Sequence, residues 1–253
     1  MLTELVQYWG AAGAALLSLL LAGHFLSDFG LQTERLAEAK RGSNVAMLLH
    51  VGQVLLTHAL LVVPVWGWAI VPAVLALAFS HALADLARRV GEQRGRSPVL
   101  LLLADQLVHV AAIVIIWVWL CQSSFLTEHA PLVPLGWVPA IRRYPLLAAG
   151  YALCLRGGST FVTYLLSECQ QTGIPGAHTS EHAGKVLGYL ERTLFYALVL
   201  LGQWTVVGFI VAAKSIGPLD QKGALRPDYY RMIGTLASLL VATASALLVR
   251  AIT

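Results

Sequence analysis

Charge is scarce in this chain. Of its 253 residues only 12% are charged, while 58% are hydrophobic and the mean hydropathy is +0.73. A soluble domain carries about 25% charged residues. The shortfall, with several long apolar runs, excludes an ordinary soluble globule and predicts a polytopic membrane protein. Cysteine is scarce too. Cys121, Cys154 and Cys169 show no CxxC spacing. That excludes a zinc knuckle, a CxxC redox motif and a CxxCH haem attachment. No basic segment precedes the first apolar run, whose only early charge is Glu4, and no small-residue cleavage pattern precedes His24. The run is expected to be a retained helix, not a removed signal peptide. Low-complexity tracts are missing. The net charge of +4 is small, and its positive residues lie mainly between apolar runs. They read as topology signals, and no nucleic-acid partner is expected.

One pattern does repeat. His24-Phe25-Leu26-Ser27-Asp28 places an imidazole and a carboxylate four residues apart, which on a helix is one turn along one face. The spacing recurs in His81-Ala82-Leu83-Ala84-Asp85 and, reversed, in Asp105-Gln106-Leu107-Val108-His109. All three pairs lie in or beside apolar runs. Ionisable groups in a bilayer cost several kcal/mol unless paired, so each is a functional candidate.

Hydropathy predicts an all-α transmembrane bundle of six or seven spans. Span one runs from about Gly10 to Phe29 and begins with the small residues Gly10 to Ala15, suited to close packing. A charged stretch follows, with Glu34, Arg35, Glu38, Lys40 and Arg41. Span two, about Met47 to Val63, holds His50, Gln53, Thr57 and His58, and Pro64 is expected to end it. Trp66 and Trp68 fit an interfacial belt. Span three runs from about Ala69 to Leu86, with Pro72 in its first turn. A basic loop with Arg88, Arg89, Arg94 and Arg96 leads to span four, about Pro98 to Leu120. Cys121 to Tyr144 reads as a loop. Pro145 to Leu166, apolar around Arg156, is expected to be re-entrant, interfacial or spanning. Glu168 to Gly184 reads as a second loop. Leu194 to Ala213 and Ile233 to Val249 are expected spans flanking a charged loop, Lys214 to Arg231. Three regions result: a four-helix core with the His/Asp site over 1–120, a loop-rich segment over 121–185, and two C-terminal spans over 186–253.

Alternating spans bring the ends that carry the pairs to one membrane face. At ~1.5 Å per residue, His24, His81 and Asp105 lie roughly 7–9 Å below it, His50 about 5 Å, and His58 and His109 about 15 Å. The same face carries Arg35, Lys40, Arg41, Arg88, Arg89, Arg94 and Arg96, while the connection between spans two and three has no Lys or Arg. The positive-inside rule then puts the site at the cytoplasmic face and the N-terminus outside.

Imidazole with carboxylate suits Zn, Mn or Fe. His24, His81, Asp105 and His109 are the expected ligands. Asp28 and Asp85, a turn nearer water, are expected to ligate or to act as bases. His50 and His58 lie some 80° apart around their helix, so one of them is expected to face the site, and His58 is favoured. Gln32, Gln53 and Gln106 read as interhelical glue. The same groups would also suit hydrogen bonds that hold a bundle, or a proton relay.

The segment from His24 to Thr33 resembles the opening motif of the bacterial membrane family called domain of unknown function 3307. Ser80 to Asp85 and Asp105 to His109 resemble its next two motifs. In the C-terminal part, Gly188-Tyr189-Leu190-Glu191-Arg192, Ala213-Lys214-Ser215-Ile216 and Tyr230 through Ile233-Gly234-Thr235 resemble longer members, although Gly217-Pro218 replaces an expected basic-aromatic continuation. A fainter likeness, resting on the Ser-His-(x)3-Asp run, is to membrane-bound metal-dependent hydrolases. The combined expectation is a bacterial inner-membrane protein with one or two divalent ions, Zn or Mn. It would be a hydrolase of an amphipathic or lipid substrate, with an ion or proton transporter and a haem-binding electron carrier as alternatives.

Overall fold

The computed structural model describes residues 2–171, 181–215 and 229–253. All regular elements among them are helical: α1 (Leu2–Phe25), α2 (Glu34–Ala39), α3 (Asn44–Trp66), α4 (Val71–Gln93), α5 (Pro98–Gln122), α6 (Phe125–Glu128), α7 (Val138–Ala152), α8 (Gly158–Gln171), α9 (Glu181–Leu200), α10 (Trp204–Ser215) and α11 (Tyr229–Ile252). A π turn, Leu26–Leu31, continues α1, and a second, Leu153–Gly157, joins α7 to α8. The chain divides into two compact units, Met1–Gly150 with Ile252–Thr253, and Tyr151–Ala251.

Four helical stretches among the described residues are long and apolar enough to cross a membrane: Gly10–Leu31, Asn44–Gln93, Pro98–Gln122 and Tyr230–Ile252. The protein is therefore a helical membrane protein. Its first unit is polar inside and apolar outside. Leu48, Leu49 and Leu60 on α3, and Leu100, Leu107 and Ile115 on α5, are each more than 60% exposed, whereas the histidines at 24, 50, 58, 81 and 109 are buried. Exposed apolar faces around a polar interior suit lipid, not water.

Asn44–Gln93 is 50 residues long, about twice what one crossing needs. It folds in half at Gly67, whose φ of 68° suits glycine and whose N–H closes α3 on the Val63 carbonyl. Arg89 Nη1 donates to Asn44 Oδ1 at 2.7 Å, and His50 meets His81 at 3.0 Å, so the two arms run antiparallel. Pro64 does not end α3; the helix continues to Trp66, which is buried, while Trp68 is exposed. Arg88 and Arg89 belong to α4 and not to a loop. The starts of α3 and α5 are capped by Ser43 and Ser97, which accept from Ala46 N and Leu100 N. Helix α1 is the innermost, with 72% of its most apolar window buried against 28% for Pro98–Gln122. Its Gly10-to-Ala15 start permits that approach: Trp117 Nε1 donates to the Gly13 carbonyl at 2.7 Å.

Pro145 to Leu166 lies within one continuous helical run from Val138 to Gln171, with Arg156 in its π turn. The second unit corrects one expectation. Leu194 to Ala213 is not one span. It breaks at Leu201-Gly202-Gln203, where Gly202 takes φ 70°, and α9 and α10 pack against each other. Glu191 and Lys214 bracket this run and would lie at opposite interfaces if it crossed once; instead they form an ion pair. Each lies about 10 residues from the turn, or ~15 Å along its helix, half of a bilayer. Of the expected loops, Cys121 to Tyr144 is partly helical, holding α6 and the start of α7, while the other two fall largely at 172–180 and 216–228, including Lys222 and Arg226, outside the described residues. Exchanging the two charges tests the hairpin. Glu191→Lys and Lys214→Glu should each lower stability, and the double variant should recover it. The expected coupling is roughly 0.5–3 kcal/mol in a denaturation cycle; residues at opposite interfaces would show none.

Candidate metal centre

Four helical segments converge on one buried cluster. His24 ends α1, and Asp28 sits in the π turn that follows. His50 lies in α3, His81 and Asp85 in α4, and Asp105 and His109 in α5. All are 9% exposed or less. The antiparallel α3–α4 arms bring His50 and His81 level, and the four-residue spacings line each pair along one helix face.

The donor atoms are close enough to share an ion. His50 Nε2 and His81 Nε2 are 3.0 Å apart. Asp28 Oδ1 lies 3.3 Å from the first and 3.5 Å from the second. Asp85 Oδ2 lies 3.6 Å from each. Ligands held tetrahedrally at 2.0–2.1 Å from zinc are themselves about 3.3 Å apart. Three sets have ligand atoms within 4.8 Å of one another: His24, Asp28, His81 and His109; His50, His81 and Asp85; and Asp85, Asp105 and His109. His81, Asp85 and His109 each serve two sets, so the cluster can be read as two adjoining sites.

Polar atoms in this interior lack hydrogen bonds. Asp28 Oδ1, Asp105 Oδ1, His50 Nδ1 and both nitrogens of His109 are buried without a hydrogen-bond partner. Each such atom costs about 1–3 kcal/mol. Charge is also unbalanced. Lys40 Nζ reaches both oxygens of Asp85 at 2.9 and 3.0 Å, and Arg88 Nη1 reaches Asp105 Oδ2 at 3.1 Å. Against three carboxylates these two cations leave one negative charge if the imidazoles are neutral. A divalent cation would meet both deficits: lone pairs without donors, and charge without a counterion.

The sequence reading of the cluster needs one change. His50, not His58, takes part in the ligand sets. His58 Nδ1 faces the Val54 carbonyl at 2.9 Å and Nε2 the Leu20 carbonyl at 3.2 Å, so its ring ties α3 to α1. The phase difference over eight residues turned the other histidine inward. Lys40 and Arg88, read as topology signals, are partners of the site carboxylates. The missed signal was Arg88 three residues after Asp85, on the same helix face. Gln106 bridges the cluster: it faces His24 Nε2 through Oε1 at 3.2 Å and donates from Nε2 to Asp105 at 3.1 Å. Gln53 Nε2 donates to the Ser27 carbonyl at 3.1 Å.

His58 needs Gly23. A Cβ at Gly23 would sit 2.7 Å from the His58 ring. Gly23→Ala is expected to lower stability by about 1–3 kcal/mol through overpacking. Gly52→Ala, with nothing within 4 Å of its Cβ, should be neutral or slightly stabilising in a helix. Paired thermal melts in detergent check the contrast.

No curated protein and no solved structure matches the chain. All the donors of the cluster fall within residues 16–132, the segment that matches the model of the family described as Protein of unknown function (DUF3307).

Proposed function

We propose that this membrane protein holds one or two divalent ions, zinc or manganese, and uses them to hydrolyse an amphipathic, lipid-like substrate at the cytoplasmic face of a bacterial inner membrane. The N-terminus is outside in this reading, membrane lipid is the partner, and, with Leu194 to Ala213 not one span, the expected six or seven crossings become at most six. One observation carries it: imidazole and carboxylate donors from four segments converge in a buried cluster that lacks protein partners for several of its atoms. Mixed nitrogen and oxygen donors suit these ions. A bound ion of this kind lowers the pKa of a coordinated water toward ~7. Of the two expected bases, Asp85 is engaged by Lys40, while Asp28 keeps Oδ1 without a hydrogen bond. Asp28 is therefore the assigned base. His24, His50, His81, Asp105 and His109 are the assigned ligands, and His58 is assigned to packing.

The cluster's depth favours an enzyme open to one side. His50 is six residues into α3 and Asp105 seven into α5, ~10 Å from the helix ends. A transporter site is expected near the midplane. The near-zero exposure of His24 and His50 supports an ion or proton path as the second reading. Haem fits poorly. The His81 and His109 rings are 4.1 Å apart and those of His24 and His109 4.8 Å, which leaves no slot for a macrocycle between axial ligands.

Chelator-treated protein, reloaded with zinc or manganese and supplied with glycerophospholipid in mixed micelles, tests the reading. Ester cleavage should follow the metal. Asp28→Asn should keep the ion and slow turnover by about 10²–10⁴-fold. Ion flux in proteoliposomes without any cleavage would transfer the cluster to the transport reading.

A further inference from the structure

We propose that Arg192, in the second unit, anchors an oxyanion site that takes a phosphate group, either of a lipid headgroup or free. The proposal does not rest on the metal reading, since its residues lie outside that cluster.

Arg192 is 2% exposed and heads the fully buried side chains by volume. A guanidinium has five N–H donors. Here Nη1 makes one long contact, 3.5 Å to Ser238 Oγ, and Nε has no hydrogen-bond partner. The guanidinium carbon lies 5.2 Å from the centre of the Tyr189 ring. No carboxylate bonds it among the described residues; its neighbour Glu191 is held by Lys214.

The surrounding helices leave room for this cation. A Cβ at Gly158 would lie 2.7 Å from Arg192 Cδ, and one at Gly188 would lie 3.1 Å from Nη1. Helices α8 and α9 thus each carry glycine where a side chain would displace the guanidinium, and α11 presents a hydroxyl. A buried cation is costly unless an anion compensates it, most of all in a membrane protein. An arginine fork with an adjacent hydroxyl matches the several oxygens of a phosphate, and bidentate pairing uses the idle Nε. The Gly188-to-Arg192 motif, which the metal cluster leaves unused, then has a role: Gly188 makes the space, Tyr189 stacks and Arg192 binds.

The test uses the full chain, delipidated in detergent, with thermal melts read against added inorganic phosphate, short-chain phosphatidylglycerol, or chloride as control. Phosphate or the phospholipid should raise the melting temperature saturably while chloride does not, and the arm that does so identifies the source. Arg192→Lys, which keeps charge but loses the fork, should weaken the half-saturating concentration at least about tenfold. Arg192→Met should abolish the shift. Should neither arginine variant fold, Ser238→Ala in the same titration should weaken binding, and wild-type protein should broaden the phosphorus resonance of the active ligand. No shift in either arm would overturn the proposal. So would an Arg192→Met protein as stable as wild type that still responds to phosphate.

Discussion

Alanine at His81 is expected to remove most bound metal from the protein. His81 belongs to two of the three donor sets and lies within 3.6 Å of donor atoms of His50, Asp28 and Asp85. Its loss opens both halves of the cluster. Even outer-shell changes lower metal affinity by about 10–100-fold, so loss of a shared ligand should exceed that. Elemental analysis of purified wild type should give about one to two zinc or manganese ions per chain. His81→Ala should give less than about a tenth of that at equal metal supply. His58→Ala is the control. Its ring nitrogens face backbone carbonyls, so it should keep its ion while melting at lower temperature. Equal metal loss in both variants would undo the assignment of donors.

Methionine at Lys40 should destabilise the metal-free protein strongly and the metal-loaded protein little. Lys40 neutralises a carboxylate whose side chain is 2% exposed. Removing one partner of a buried pair costs about 3–5 kcal/mol, because the other charge is left alone in a poor solvent. An ion held by His50 and His81, whose Nε2 atoms lie 3.6 Å from Asp85 Oδ2, would sit beside Asp85 and supply the missing positive charge, and a ligand at a thousand times its Kd stabilises by roughly 4 kcal/mol. Melts of Lys40→Met with chelator and with saturating zinc should therefore differ more than those of wild type. A variant that zinc does not rescue would mean that no ion reaches Asp85. Arg41→Ala provides scale. Its pair with Glu92 spans 3.5 Å and the arginine is half exposed, so its loss should stay within about 1 kcal/mol.

The first four apolar runs and the three His/Asp pairs were legible because both follow directly from composition and spacing. Scarce charge in long apolar runs marks a span, and four residues on a helix mark one face. The choice between His50 and His58 was not legible. Both are on α3, and which one points inward depends on how that helix is rolled against α1, a packing property. Lys40 was hidden for a related reason. Its carboxylate is 45 residues away in sequence, and a positive residue beside a span reads equally well as a topology signal. The Leu194-to-Ala213 run misled because hydropathy counts apolar residues without seeing direction. Gly202 beside Gln203 was the available sign of a reversal, and the Glu191–Lys214 pair makes sense only with it.

The π turn at Leu26–Leu31 has a consequence for chain length. A π turn amounts to an α-helix carrying one surplus residue, and such turns concentrate at functional sites. Here it begins two residues after the histidine at 24 and itself carries Asp28. A chain one residue shorter at this point would run as plain α-helix, and everything before the deletion would rotate by ~100° against everything after it. His24 would swing away from Gln106, or Asp28 away from His50. The spacing of this motif thus tolerates substitution better than it tolerates a gap. A relative with a single-residue deletion between His24 and Gln32 should be expected to have given up the site while keeping the fold.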